Sequence, residues 1–223
     1  MSCDDSNSCY VAIVDYAMSN LHSVQAACTY SGLNSIVTSD LNVIERASGI
    51  VLPGVGAMAE AIARITSLGL DSAIMKCVQQ DKPFLGICLG MQLLFGESEE
   101  FGFTKGLGIV DGVVRKLAYE GCDSRRCPVP QIGWNTIDQA STAWKATLLE
   151  DNVSGDHMYF VHSYYVIPKN DNIVVSFTKY GSTKFASAIK IDNLFACQFH
   201  PEKSGPTGLK VYENFSREVK RRG

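Results

Sequence analysis

The chain has 223 residues and a mass of 24.3 kDa, enough for one domain with a substantial core. Its 46% hydrophobic and 19% charged residues are typical of a folded protein and not of a disordered one, and its net charge of −3 argues against a general nucleic-acid binder. No apolar run approaches the roughly 20 residues that a membrane-spanning helix needs, so no membrane partner is expected.

The N-terminal residues 1–9 are polar and acidic, without the basic and apolar regions of a signal peptide. We therefore expect a flexible tail at residues 1–9, a single domain at residues 10–223 and a cytoplasmic location. Most of the eight cysteines lie within periodic apolar segments, so we expect them to be reduced and not to form a disulfide framework. Cys122 and Cys127 lack a second Cys/His pair at zinc spacing, and no metal is expected.

The first half of the chain alternates between strand and helix signals. Short apolar runs predict strands at residues 10–14, 35–38, 49–52 and 83–87. Apolar residues spaced by three and four predict helices at residues 20–30, 58–68 and 70–78. Strands separated by helices of this length imply a mostly parallel sheet that is covered on both faces.

The second half is richer in β-forming residues. Runs at 112–114, 158–161, 173–177 and 185–189, separated by turn residues, predict antiparallel strands added to the sheet. Residues 206–222 predict a closing helix with one apolar face. The predicted fold is α/β, with a mostly parallel central sheet flanked by helices and extended by antiparallel strands.

Cys88 has the sequence context of a nucleophile. It lies between Gly86 and Gly90, after the predicted strand 83–87 and before the helical pattern 91–95. A sharp strand-to-helix turn needs glycines on both sides, because neighbouring backbone passes too close for a Cβ. A buried core cysteine is the alternative, and the paired glycines favour the nucleophile elbow.

A thiol nucleophile needs a base, and the base needs an orienting group. His200 ends the apolar strand 193–199, and Glu202 follows two residues later. On an extended backbone, which Pro201 would maintain, these two side chains face the same side. Glu202 is therefore predicted to accept a proton from one imidazole nitrogen while the other faces Cys88.

Attack on an amide also requires donors for the oxyanion. The N–H of Leu89 is one candidate, and the backbone of residues 53–56 offers another. The pattern Gly54-x-Gly56-x-x-Ala59 also matches a dinucleotide fingerprint. Such a site should have a carboxylate at the end of the next strand to bind the ribose. The strand 83–87 is followed by Cys88 instead, which argues against nucleotide binding.

Three motifs together resemble the class I glutamine amidotransferases: Pro-Gly-Val-Gly at 53–56, Gly-Ile-Cys-Leu-Gly-Met-Gln at 86–92 and His-Pro-Glu at 200–202. The resemblance covers residues 10–219 and implies that glutamine is the substrate and that no cofactor is used. It implies that Cys88 attacks the carboxamide, that His200 protonates the departing ammonia and that a glutamyl thioester is hydrolysed. It further implies oxyanion donors at Val55, after a peptide flip, and Leu89. The implied glutamine-binding residues are Gly54, Gly56, Gln92, His162, Ser163 and Tyr164.

Further features resemble one branch of that family, the glutaminase subunits of imidazole glycerol phosphate synthases. These are Asp15-Tyr16 with Asn20-Leu21, Gly-Trp-Asn at 133–135 and the run at 159–164. The resemblance implies a heterodimer with a barrel-shaped cyclase subunit that uses the ammonia to make imidazole glycerol phosphate and AICAR in histidine biosynthesis. The implied partner-facing residues are Asn20, Tyr159 and Lys203.

The chain departs from that branch at Ala17 and Ser19, where its members usually have glycine, and at Gln131, where many have histidine. Two alternatives therefore stay open. One is a glutaminase subunit of another ammonia-using synthase, in cofactor or purine synthesis. The other is a nucleotide-binding regulatory module with an inactive site. The loop at residues 119–128 has no functional interpretation.

Overall fold

The computed structural model describes residues 9–18, 20–118, 127–140 and 144–222. The predicted tail lies outside the described residues except for residue 9, as do Ser19 and residues 119–126 of the loop. The strands are β1 Val11–Val14, β2 Ser35–Thr38, β3 Gly49–Gly54, β4 Phe84–Cys88, β5 Phe95–Ser98, β6 Thr104–Lys105, β7 Val110–Lys116, β8 Gln131–Gln139, β9 Asp156–His162, β10 Tyr164–Pro168, β11 Val174–Tyr180, β12 Thr183–Ile191 and β13 Leu194–Cys197. The α-helices are α1 Leu21–Tyr30, α2 Leu41–Arg46, α3 Met58–Ser67, α4 Leu70–Gln79, α5 Leu89–Leu93 and α6 Gly205–Arg222.

Within the described residues, nine strands form the central sheet in the order β2-β1-β3-β4-β13-β12-β11-β8-β9. The strands from β2 to β13 in this order are mutually parallel, and the remaining pairings are antiparallel. The predicted α/β fold with added antiparallel strands is therefore confirmed. Because β4 lies between β3 and β13, the carboxyl ends of these three strands meet at one edge of the sheet.

Apolar side chains cover both faces of the sheet. On β3, Ile50 and Leu52 pack into the core shared with α2, α3 and α4, whereas Val51 packs into the core shared with α1 and α6. This alternation is the period-two pattern of a strand that is buried on both faces. A four-stranded sheet, β10-β7-β5-β6, packs against the first of these cores.

The cysteines differ in their bonding. Cys28, Cys77, Cys88 and Cys197 are free thiols buried in the core. Cys127 is disulfide-bonded, so the expectation of reduced cysteines is wrong for this residue. It lies in a polar loop, where the argument from apolar periodicity does not apply. Along the described parts of the chain, each helix is too short or too polar to cross a bilayer.

Candidate active site

Cys88 occupies a strained elbow between β4 and α5. Its backbone has φ 54° and ψ −108°, a conformation that a residue with a side chain rarely adopts. Such strain costs about 1–3 kcal/mol and is maintained by surrounding structure. A Cβ at Gly90 would collide with the Leu52 carbonyl oxygen on β3, so the close approach of helix and strand requires glycine there. The predicted strand–turn–helix geometry is therefore present.

His200 and Glu202 lie next to this elbow because β13 pairs with β4. The Nδ1 atom of His200 lies 2.7 Å from Oε1 of Glu202, and both side chains are almost fully buried. The two residues are not joined by extended backbone, as the sequence had suggested. A 3-10 turn at Pro201–Lys203 folds the carboxylate back onto the imidazole. Proline suits the first position of such a helical turn, because its φ is already helical and it has no N–H to leave unpaired.

The imidazole of His200 interacts with the nucleophile. Its Nε2 atom is buried and makes no hydrogen bond within the described residues. Burial lowers the pKa of His200, but the electrostatic interaction with Cys88 and the contact with Glu202 outweigh it and raise the pKa to about 10. The arrangement therefore favours an imidazolium beside the sulfur, which is the state that donates a proton to a leaving group.

The backbone expected to bind an oxyanion lies beside Cys88, since Gly54 on β3 is its register partner. The buried hydroxyl of Tyr16 donates a 2.7 Å hydrogen bond to the Pro53 carbonyl and holds this end of β3 in place. A Cβ at Gly54 would collide with the same hydroxyl. The glycine is therefore needed for packing at this position.

The two predicted oxyanion donors differ in availability. Leu89 is the first residue of α5, directly after the nucleophile. The N–H of Val55 instead donates to the Met18 carbonyl, with an N···O distance of 2.9 Å. This donor is therefore occupied in the observed conformation. Its peptide links Gly54 to Val55, and the glycine presents few steric barriers to a rotation that would free the N–H.

A cleft of about 370 Å³ opens beside the sulfur. It is lined by Val55, Gly56, Cys88, Leu89, Gln92, Glu100, Pro130, Val161, His162, Ser163, Tyr164 and Lys203. Burial lowers the pKa of His162 to about 4, with a smaller contribution from His200, although its bond to the Tyr164 carbonyl acts in the opposite direction. His162 is therefore neutral near pH 7, with Nδ1 donating to that carbonyl at 2.9 Å.

The model of the glutamine amidotransferase class-I family matches residues 12–219, nearly the whole chain. The chain belongs to this family.

Curated relatives of this amidotransferase cover it almost entirely. Imidazole glycerol phosphate synthase subunit HisH of Syntrophotalea carbinolica is 44% identical over 206 residues, which are 92% of this chain and 98% of the relative. The subunit HisH of Aquifex aeolicus is 43% identical over 213 residues, covering 94% and 97% of the two chains.

Solved structures share the fold at low sequence identity. The crystal structure of a glutamine amidotransferase matches with a TM-score of 0.71 at 14% identity, covering 94% of this chain and 98% of that one. The glutaminase domain of Trypanosoma brucei CTPS with bound acivicin has a TM-score of 0.66 at 16% identity, covering 97% and 95%. These matches support the fold and carry no residue assignments.

Most of the predicted substrate-binding residues line one cleft of the amidotransferase. Gly56, Gln92, His162, Ser163 and Tyr164 do so, together with the predicted oxyanion residues. Gly54, the last residue of β3, does not line the cleft.

Two buried polar residues of the site were missed by the sequence analysis. Glu100 lines the cleft, and its Oε2 accepts a 2.6 Å hydrogen bond from the N–H of Met58, the first residue of α3. Gln198 is fully buried and donates from Nε2 to the sulfur of Cys88 at 3.6 Å. A signal existed for Gln198, because it lies two residues before His200 and period-two alternation places both on one side of a strand.

The predicted partner-facing residues are surface residues. Tyr159 is partly exposed and packs edge-on against Trp134, whose exposed fraction is 57%, with 6.0 Å between ring centroids. The Nζ atom of Lys203 lies 6.0 Å from the centre of the Tyr159 ring. Asn20 is exposed at the start of α1 and makes no side-chain capping bond. Lys203 also lines the cleft, so the surface formed by Trp134 and Tyr159 is continuous with the active site.

Proposed function

We propose that this amidotransferase is the glutaminase subunit of an imidazole glycerol phosphate synthase. It hydrolyses glutamine to glutamate and ammonia, and the ammonia passes to a cyclase subunit that makes imidazole glycerol phosphate and AICAR in histidine biosynthesis. The observation that carries the proposal is the buried arrangement of Cys88, His200 and Glu202 beside the cleft. Relatives that bear the name of this subunit, at 43% and 44% identity over nearly full length, support the choice of synthase.

The proposed chemistry is acyl transfer through the thiol. The sulfur of Cys88 attacks the carboxamide carbon of glutamine, and the C–N bond breaks as the His200 imidazolium gives its proton to the departing ammonia. A glutamyl thioester remains. His200 then takes a proton from water, the resulting hydroxide attacks the thioester, and glutamate leaves as the thiol is restored. Glu202 stabilises the imidazolium and holds its orientation through the 2.7 Å contact with Nδ1.

The oxyanion site requires a conformational step. The bond between the Val55 N–H and the Met18 carbonyl must break before this N–H can bind the tetrahedral intermediate. One oxyanion donor is worth about 10²–10³ in rate, so withholding it keeps glutaminase activity low. We infer that docking of the cyclase subunit and its ligand favours the rotated peptide and thereby couples the two activities.

Glutamine recognition needs a partner for the α-ammonium group. Glu100 provides a buried carboxylate in the cleft, and Gln92, which lines the same cleft, carries a carbonyl oxygen. The Glu100 carboxylate also lies at the N-terminus of α3, bonded to Met58. A dinucleotide would place its pyrophosphate at this helix end, and the carboxylate repels such an anion. Glu100 thus argues for the amidotransferase function and against the nucleotide-binding alternative.

We propose that the cyclase subunit docks on the surface around Tyr159. Trp134 and Ile132 lie on the same face of β8 and expose 57% and 63% of their surface, more than Gln131, Gly133 and Asn135 beside them. Exposed aromatic residues grouped in this way are typical of interface anchors. Lys203 connects this surface to the cleft, which gives ammonia a short path into the partner.

We also propose a cytoplasmic location. The free thiols buried at Cys28, Cys77 and Cys197 suit a reducing compartment. The disulfide of Cys127 does not support it, and fractionation of cells that express the chain tests the location directly.

The function is tested by mixing the purified chain with the cyclase subunit and measuring glutamate release. We expect low hydrolysis by the chain alone and strong stimulation when both the cyclase subunit and its ribonucleotide ligand are present. Activation by a different synthase, with no response to this pair, would favour the alternative glutaminase assignment. A Cys88 thiol that stays unmodified by a glutamine-mimicking electrophile in the assembled complex would favour the regulatory module.

A further inference from the structure

Gln198 is a buried amide in contact with the nucleophile. It follows the last residue of β13, has no exposed surface, and its backbone N–H donates to the Ser187 carbonyl at 2.9 Å. Its Nε2 donates to the sulfur of Cys88 at 3.6 Å, and its Oε1 accepts from Nε2 of Gln92 at 3.1 Å. A buried amide is costly unless it is hydrogen-bonded, so these contacts determine how the side chain is held.

The orientation of the Gln198 amide follows from its neighbours. The Nε2 atom of Gln92 donates to the backbone carbonyl of Tyr164 at 2.9 Å, and a carbonyl oxygen can only accept. Gln92 therefore presents its NH₂ group on this side, and the same group meets Gln198. Gln198 must therefore accept this hydrogen bond with its side-chain oxygen, and its own NH₂ group then points to the sulfur of Cys88.

The sulfur is surrounded by groups that respond differently to its charge. Tyr16, Cys197 and His200 are the titratable side chains that interact with it electrostatically. The thiol donates to the Val161 carbonyl at 3.7 Å, a bond that is lost when the proton leaves. A donated N–H, in contrast, becomes stronger when the acceptor carries a negative charge. The contact from Gln198 therefore favours the thiolate over the thiol.

We propose that Gln198 is a positioning residue for the nucleophile, which holds the Cys88 sulfur in place and stabilises its anion, while Gln92 holds Gln198 in the required orientation. The inference rests on the proposed glutaminase function, because it assigns a role in the same reaction. Gln92 also lines the substrate cleft, so one hydrogen-bonded chain of two amides joins the substrate-binding residues to the sulfur.

The test uses Gln198→Met, which preserves length and removes the donor, and Gln198→Glu, which places an anion against the sulfur. The rate of Cys88 alkylation by iodoacetamide is followed from pH 5 to 10 by peptide mass analysis. We expect alkylation near neutral pH to slow about tenfold in Gln198→Met, the effect of one hydrogen bond to a charged group, with the midpoint at higher pH. In Gln198→Glu the slowing should be greater.

Ser187→Ala is the matched control. It removes a buried 3.0 Å hydrogen bond between Ser187 and Ser176 in the neighbouring part of the sheet and should leave the alkylation profile unchanged. A Gln198→Met profile that coincides with wild type overturns the inference. If Gln198→Met does not fold, Gln92→Met removes the orienting donor while Gln198 stays in place. Its alkylation profile must then move in the same direction, and an unchanged profile overturns the inference.

Steady-state kinetics of the complex with the cyclase subunit provide the second readout. Gln198→Met should lower kcat about tenfold and change KM less than twofold, because the lost contact is with the nucleophile and not with the substrate. The two proposals fail separately. If the wild-type chain hydrolyses no glutamine with the cyclase subunit, the proposed function is refuted. If the alkylation profile of Gln198→Met is nevertheless shifted relative to wild type, the role of Gln198 is supported.

Discussion

His162 makes the stability of the protein sensitive to mild acid. Its ring is buried, with Nδ1 donating to the Tyr164 carbonyl at 2.9 Å. Burial, with a smaller contribution from His200, lowers the pKa of His162 from 6.5 to about 4, although the Tyr164 bond raises it. The folded protein therefore keeps this imidazole neutral at pH values where the unfolded chain protonates it. We predict that His162→Gln, which retains an N–H donor and does not titrate, removes this sensitivity.

The size of the effect follows from proton linkage. Below pH 6.5 the unfolded state binds a proton at His162 and the folded state does not, so the free energy of unfolding falls as the pH is lowered. The fall ends near pH 4, where the folded state also takes up the proton. A difference of about 2.5 pH units at 1.36 kcal/mol per unit gives a loss of about 3 kcal/mol.

Urea denaturation of wild type and His162→Gln at several pH values from 7.5 to 4 measures this loss. The raised pKa of His200 adds slope only above pH 6.5, where its contribution is still growing as the pH falls, and it does so in both proteins. Carboxylates that titrate near pH 4 act equally in both proteins. The difference in unfolding free energy between the two proteins should therefore change by about 3 kcal/mol across the window. Parallel pH profiles would refute the argument.

Two further substitutions test the backbone of the site. Gly90→Ala should lower the free energy of unfolding, measured by urea denaturation, by more than about 2 kcal/mol, because its Cβ collides with the Leu52 carbonyl. Gly96→Ala serves as the control, since a Cβ at that position makes only ordinary contacts. A stable Gly90→Ala protein would contradict the close approach at the elbow. Ala17→Gly should raise the free energy of unfolding by about 0.5–1 kcal/mol, since Ala17 has φ 61°, a conformation that disfavours a Cβ. A loss of stability would show that this strain is absent in solution.

Elements with strong local signals were predictable from the sequence. The strand at 35–38 and the closing helix, predicted at 206–222 and observed at Gly205–Arg222, follow from apolar periodicity within the segment itself. The elbow at Cys88 was predictable from the glycines at 86 and 90, although the structure shows that neighbouring strands require them. A Cβ at Gly90 would collide with the Leu52 carbonyl on β3, and one at Gly86 would crowd Ala196 on β13.

Elements that depend on distant partners were not predicted. The strands Gln131–Gln139 and Tyr164–Pro168 were absent from the sequence analysis. A strand was predicted at 112–114, but as part of the central sheet, whereas it belongs to a separate four-stranded sheet that was not predicted. Phe95 was placed in a helical pattern, but it begins a strand that pairs in parallel with Val110–Lys116. Such pairing is decided by residues far away in the chain, and short segments do not reveal it.

The site shows the same division. Cys88, His200 and Glu202 were located from motifs, and the contact of His200 with Glu202 exists, although a 3-10 turn produces it. The bond that occupies the Val55 N–H was not foreseen, because it joins the residue after β3 to the carbonyl of Met18, 37 residues earlier in the chain. Glu100 reaches the cleft by a comparably distant contact, with the start of α3.

The central claim is that Cys88 releases ammonia from glutamine for a partner that can also use free ammonia. The most direct measurement compares imidazole glycerol phosphate synthesis by the complex containing Cys88→Ala when it is supplied with glutamine or with ammonium salt. The account predicts that the glutamine-dependent reaction is lost and that the ammonium-dependent reaction proceeds at the wild-type rate. Glutamine-dependent synthesis that survives the loss of this sulfur would contradict it.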